Sequence, residues 1–254
     1  MQHRNIGARE ARLFVFVTAL WLVLEPNLGA QGQGGAAGPA PRTARAMAPK
    51  DLTGYWVSVV SEDWRWRMRV PDKGEYQGLP LTPGGTKFAD TWDPAKDQVD
   101  GNQCRGYGAA AIMQVPGRLH IYWQDDNTLR IDTDSGTQTR LLHFGDSAPQ
   151  SEAPTWQGDS LASWLRGGYL KAITIHMRPG YLRKNGVPYS GNATLEEYFD
   201  RFPNPYVNDT HLMVTRVVTD PQYLRQPLIT STQFKKIPDG SGWDPTPCRA
   251  DQPR

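Results

Sequence analysis

At 254 residues, with 38% hydrophobic and 21% charged side chains, the chain is long enough to bury a core of its own as one large domain. Its 28 basic and 26 acidic residues leave a net charge of +2, which removes the electrostatic case for a nucleic-acid partner. A mean hydropathy of −0.59 excludes a protein built from several membrane spans.

Arg4, Arg9 and Arg12 precede an apolar run at 13–24, too short to cross a bilayer as a helix and suited to the core of a secretory signal. With Asn27-Leu28-Gly29-Ala30 as the cleavage region, residues 1–30 read as a signal peptide, and the mature protein is expected in the periplasm or outside the cell. Residues 31–50 are rich in Gly, Ala, Gln and Pro and read as a disordered tether. Residues 51–254 read as a single β domain. Export gives the two cysteines an oxidising compartment, so Cys104 and Cys248 are expected to form a disulfide.

From residue 51 onward apolar residues recur mostly at every second position, the period of a half-buried strand. Strands are expected at 54–60 and at 64–70, where Trp64-Arg65-Trp66-Arg67-Met68-Arg69-Val70 alternates apolar with basic. The stretch 118–144 predicts a three-stranded meander. A three-residue connection at Asp125-Asp126-Asn127 pairs Trp123 with Leu129, Ile121 with Ile131 and Leu119 with Thr133, and sets His120 opposite Asp132 and Tyr122 opposite Arg130. A two-residue turn would mix the faces, so the odd loop is selected. The same logic at Ser135-Gly136-Thr137 pairs Ile131 with Leu141 and Asp132 with Arg140. The Pro-rich piece 70–94 reads as a surface excursion, and 159–165 as a short helix capped by Asp159 or Ser160. Further strands are expected at 170–177, 194–201, 211–218 and 228–235, and Asn185-Gly186 turns a hairpin between 181–184 and 187–189. Many strands, frequent turns and one short helix predict an all-β fold, an antiparallel β-barrel or a sandwich.

Gly54-Tyr55-Trp56 on the first strand, after an export signal, resembles the lipocalin opening, in which Gly-x-Trp closes the barrel floor; it implies a lipocalin-like barrel. A second resemblance is broader. Trp156-Gln157-Gly158-Asp159-Ser160, Trp164 and Gly167 are followed by a strand at 169–175, by 194–198, and by Asp220-Pro221 and Gln226-Pro227. This order is similar to a large group of exported bacterial proteins of unassigned function, which carry a Trp-x-Gly-His-Ser block and later a Thr-Glu-Arg-Tyr block. Asp159 stands where that His would be, and Glu197 falls on the Glu of the second block. The resemblance covers about residues 100–236 and implies a bacterial envelope protein.

Gly158-Asp159-Ser160-Leu161 spells the motif of a serine hydrolase family, but the preceding segment is polar and no Asp-x-x-His follows, so Ser160 reads as a helix cap. His120, His143, His176 and His211 show no His-x-His or His-Glu-x-x-His spacing, and the sequence calls for neither metal nor cofactor. Three polar groups interrupt apolar faces: His143 beside Leu141 and Ile131, Glu197 between Leu195 and Phe199, and Arg216 between Val214 and Val218. A lone charge on such a face is costly. Gathered in a cavity, His143 and Glu197 would serve as acid and base and Arg216 as an anion clamp; otherwise strand ends let them reach water, or Glu197 and Arg216 form a structural ion pair. His120 and His176 lie on the more polar faces and would line the interior only of a barrel that is polar inside. The hairpin 178–191, with Tyr181, Arg183 and Tyr189, reads either as an ordinary hairpin or as a lid offering aromatic and cationic contacts to a ligand. The leading expectation is an exported barrel holding a small apolar or aromatic ligand with an anionic or hydroxyl group in its interior. The alternatives are a cofactor-free lyase, isomerase or hydrolase using His143 or Glu197, and a structural envelope protein. No nucleic-acid partner and no stable membrane insertion after signal removal are expected.

Overall fold

The computed structural model describes residues 42–254; the proposed signal peptide and the tether up to residue 41 lie outside that range. Where apolar residues alternate, the chain is extended, giving in chain order β1 (Gly54–Val59), β2 (Arg118–Asp125), β3 (Thr128–Thr133), β4 (Gln138–Phe144), β5 (Asp159–Trp164), β6 (Leu170–Ile175), β7 (Gly180–Arg183), β8 (Val187–Tyr189), β9 (Thr194–Asn204), β10 (Asp209–Thr219) and β11 (Leu228–Ile237). Nine of these close a barrel in the order β1-β11-β10-β9-β6-β5-β4-β3-β2, while β7 and β8 form a separate hairpin. Every neighbouring pair in the ring is antiparallel except β4 and β5, which run parallel. Their connection, residues 145–158, therefore travels the height of the barrel on the outside.

The inward side chains fill the barrel. Trp56, Ile121, Ile131, Leu142, Phe199 and Phe234 are fully buried together, and Trp56 Nε1 donates to Leu52 O at 3.0 Å, which satisfies the one polar atom of that ring. The pairing expected between β2 and β3 is observed from Leu119↔Thr133 through Trp123↔Leu129. The pairing expected between β3 and β4 is not. Ile131 faces Arg140 and Asp132 faces Thr139, because the connection holds four residues, 134–137, with Gly136 at φ 73° and Thr137 at φ 49°. A Cβ on Gly136 would stand 2.2 Å from the ring of Tyr107, so that turn is built for glycine. One residue of slip exchanges the faces of the whole strand: Arg140 and Leu142 point inward, and Leu141 and His143 point outward.

Two other expectations give way. Segment 64–70 is not a strand; it contains the helical turn α1 (Trp64–Arg67). Both edges of β1 are already occupied, by β2 and β11, so no edge remains for it to join. Residues 159–165 are not a helix but β5, held between β4 and β6. The excursion carries α2 (Pro83–Ala89) and α3 (Pro94–Val99), each with Pro at its start and a side-chain cap from Thr82 or Asp93. After a 3₁₀ turn at Gln103–Tyr107 comes α4 (Ala109–Ile112), four buried residues set against the barrel mouth. Among the described residues no helix is long and apolar enough to cross a membrane.

The long connections gather at one end. The β1–β2 excursion, the β7–β8 hairpin and the β10–β11 loop all leave strands there and form a cap. The other end has short turns and is closed by residues 42–50, expected as tether but ordered: Ala44 is buried, its N–H donates to Asn127 Oδ1 at 2.9 Å, and Trp164 Nε1 donates to Ala44 O at 3.3 Å. The folded part thus begins before Asp51. After β11 the tail runs back along the outside toward the cap. Trp243 meets Tyr55 and His120 edge-on, and Cys248 is bonded to Cys104 with Cα atoms 5.1 Å apart, the expected disulfide.

Candidate functional site

The β1–β2 excursion, the β7 hairpin and β10 bring five cationic side chains to one pocket of about 50 Å³ in the cap: Arg67, Arg69, Arg183, Lys184 and Arg216. Asp63 is the one carboxylate among the residues lining it. Arg67 sits on α1 with only 4% exposure. Its Nε donates to Gln114 O at 2.9 Å, while Nη1 and Nη2 have no hydrogen-bond partner. Glu62 Oε2 lies 3.8 Å from Nη1, too far for a hydrogen bond. Loss of solvent pulls the Arg67 guanidinium below its ordinary value against the attraction of Glu62 and Asp63.

Arg216 reaches the pocket from inside the barrel. Its Nε donates to Thr230 Oγ1 at 2.6 Å and its Nη1 to the carbonyl of Ala110 on α4. Burial pushes it down to about 10, with Glu197 pulling the other way. Arg183 stands 4.6 Å from the Trp66 ring and donates to Glu75 O at 3.3 Å. Lys184 crosses Gly106, where a Cβ would be 2.9 Å from its Cγ, so glycine makes room for the stem. Its Nζ lies 3.7 Å from the centre of the Tyr107 ring and donates to Gln252 O at 2.9 Å. Burial pushes this amine down to about 7, opposed by Asp251. Arg69 is paired with Glu75 at 2.7 Å. Among the described residues no carboxylate stands within 4 Å of the charged atoms of Arg183, Lys184 or Arg216.

The residues singled out in the sequence divide among four places. Arg183 and Arg216 line the basic pocket. Glu197 is fully buried in the barrel, but its partner is Arg140, at 2.9 and 2.5 Å through two parallel bonds. Arg216 is opposite Glu197 in the β9–β10 register. His143 is on the outer face, its Nδ1 3.3 Å from Thr128 Oγ1, so the structure does not join it to Glu197 as an acid–base pair. His120 is also outside, stacked on Tyr55 at 4.1 Å beneath the tail, with burial holding its imidazole below the usual value. His176, at φ 58°, binds Asp159 through Nδ1 at 2.9 Å, and Ser151 Oγ donates to the same carboxylate at 2.9 Å. Asp159 and His143 line an open outer groove of about 330 Å³ below the β4–β5 crossover. Ser160 caps no helix; it is buried on β5, 2.7 Å from Thr174 Oγ1. Tyr181 is a strut rather than a lid contact: its hydroxyl donates to Asp97 at 2.7 Å and accepts from Arg105 at 3.2 Å, and burial with Asp97 pushes it up to about 12. Tyr189 is buried without a partner for its hydroxyl. The Tyr181 strut and the buried Tyr189 fix the hairpin in place, which sets Arg183 and Lys184 over the mouth.

The sequence reading missed Arg67, Lys184 and Arg140. Arg67 reads in the sequence as one of the basic residues alternating along an expected strand at 64–70, which the structure replaces with α1. Arg140, opposite Asp132 in the expected register, turns inward once the β3–β4 connection holds one residue more. Lys184 carries a weak signal, a basic residue next to the Asn185-Gly186 turn. Among the described residues no group of three or more His, Cys, Asp or Glu is placed to hold a metal ion. No family model, curated protein or solved structure matches the chain.

Proposed function

We propose that this protein is an exported β-barrel that binds a small ligand through an anionic group, seated in the basic pocket of the cap. The observation that carries the reading is Arg67: a guanidinium nearly sealed from water, with both terminal nitrogens unpartnered. A buried charge in that state costs several kcal/mol, about the amount an anion would return by pairing with it. Arg183, Lys184 and Arg216, with no close carboxylate, add to the same demand. Trp66, Leu79, Leu182 and Leu228 supply apolar wall, which suits a ligand with a hydrocarbon or aromatic part. The barrel interior is occupied by side chains, so the ligand site moves from the interior to the mouth. The disulfide supports the export reading, because such a bond persists in oxidising compartments.

Thermal shift with a panel of small carboxylates, sulfonates and phosphates tests this. A ligand at one hundred times its Kd stabilises by about 2.7 kcal/mol, a rise of several degrees in Tm. The rise is expected for wild type and absent in Arg67→Met. Equal shifts in the two proteins, or no shift with any anion, would sink the proposal.

A further inference from the structure

We infer that the anionic group is a phosphoryl dianion, presented as a phosphate monoester. This rests on the anion-binding reading above and names its ligand class. The first argument is charge. With Arg69 committed to Glu75, the pocket sets the basic side chains Arg67, Arg183, Lys184 and Arg216 against Asp63 in its lining and Glu62, 3.8 Å from Arg67, four bases to two carboxylates. A monoanion would leave part of that surplus unanswered in a poorly solvated site; a dianion answers two charges at one position.

The second argument is shape. A volume of about 50 Å³ accommodates about four waters, matching the four oxygens around the phosphorus of a monoester, and leaves no room for a ring beside them. Arg67 offers two free nitrogens of one planar fork, the geometry that grips two oxygens of a phosphate side by side. Arg216, with Nε and Nη1 engaged, has Nη2 left for a third. Trp66, Leu79 and Leu182, in the same lining, offer apolar contact at the opening to the alcohol portion of an ester, whether a free metabolite or the glycerol and acyl chains of a lipid.

Lys184 gives the binding a proton signature. Its amine is held down to about 7 by burial. Tyr107, Asp97, Tyr181 and Arg249 surround its stem, with Asp251 close enough to favour its charged form. Burial raises both tyrosines, so neither titrates near neutrality. A dianion entering beside the amine favours the ammonium form, so binding takes up a proton. A phosphate monoester loses its own second charge below about pH 6. Affinity should therefore peak between about 6 and 7.

Calorimetry on the full mature chain with phenyl phosphate, methyl phenyl phosphate and benzoate is the test. Phenyl phosphate is expected to bind at least tenfold more tightly than the other two and to take up a proton at pH 7.5, read from buffers of different ionisation heat. Lys184→Met should abolish the uptake, and Arg67→Met should weaken binding at least tenfold. Equal affinity for benzoate and phenyl phosphate overturns the dianion while leaving the anion pocket intact; no Arg67-dependent binding of any of the three overturns both. Vesicles of phosphatidylcholine with one tenth phosphatidate, against one tenth phosphatidylglycerol, separate the sources. Selective capture by phosphatidate that phenyl phosphate displaces assigns a lipid, and phenyl phosphate binding without capture assigns a free monoester.

Discussion

A guanidinium kept from water, with its nearest carboxylate, Glu62, 3.8 Å away and not hydrogen-bonded to it, weakens the fold that holds it, so Arg67 should be a stability cost in the empty protein. Arg67→Met is expected to raise the urea midpoint, by about 1 kcal/mol or more in unfolding free energy, even as it removes anion binding. Loss of stability in that variant would assign Arg67 to the framework instead. Arg140 and Glu197 present the opposite case, a sealed pair with two bonds between them. Glu197→Gln leaves a buried arginine uncompensated and should cost about 3–5 kcal/mol, whereas Arg140→Met combined with Glu197→Leu should recover most of that loss. Chemical denaturation of the three variants measures both. Glu197 and Arg216 were legible in the sequence because apolar neighbours two positions away fix their face. Arg140 was not, since its face depends on the length of a turn whose count, three or four, leaves no mark in hydropathy.

At the scale of elements, the strands were legible wherever alternation persisted for six or more residues and a partner edge was free. Segment 64–70 alternates as well as any, yet it folds into α1 because β1 has no vacant edge to offer. Periodicity records what a segment can do, and vacancy in the sheet decides what it does. The reverse holds for β5: its pattern is weak, but β4 and β6 both pair with it. Its first residue is a junction. Asp159 accepts from Ser151 Oγ and from His176 Nδ1, binding the crossover to the end of β6. Burial pushes the Asp159 carboxyl up, but these bonds outweigh it and leave it below its ordinary value of 3.8. A carboxyl depressed by folding contributes stability in full above that ordinary value and loses it as the pH falls through the lower folded value. Asp159→Asn should therefore flatten the acid limb of the stability–pH curve below about pH 4. An acid limb identical to wild type would show that the junction bears no load.

Across the whole molecule the tail is a strap running from the barrel end closed by residues 42–50 to the cap. It is pinned by Trp243 on the Tyr55–His120 stack, by Cys248, and by Arg254 on Asp134 at 2.9 Å. The disulfide spans a sequence separation of 144, and in the chain-entropy account such a closure is worth about 5 kcal/mol. Cys248→Ser should lower the Tm accordingly. It should also loosen the Gln252 contact to Lys184, so ligand affinity measured well below the new Tm should fall too. Unchanged affinity would mean the strap serves stability alone. The ring itself has nine members, and direction cannot alternate around an odd circle without one repeat. That arithmetic forces the parallel step, the outer crossover and the groove under it, and it gives the cylinder a seam. Only three residue pairs, Leu142↔Ser160 to Phe144↔Ala162, stitch β4 to β5, against eleven between β9 and β10. If the wall unzips anywhere in the native state it should do so along this line. Amides of β4 and β5 that bond across it should exchange with deuterium sooner than those shared by β9 and β10.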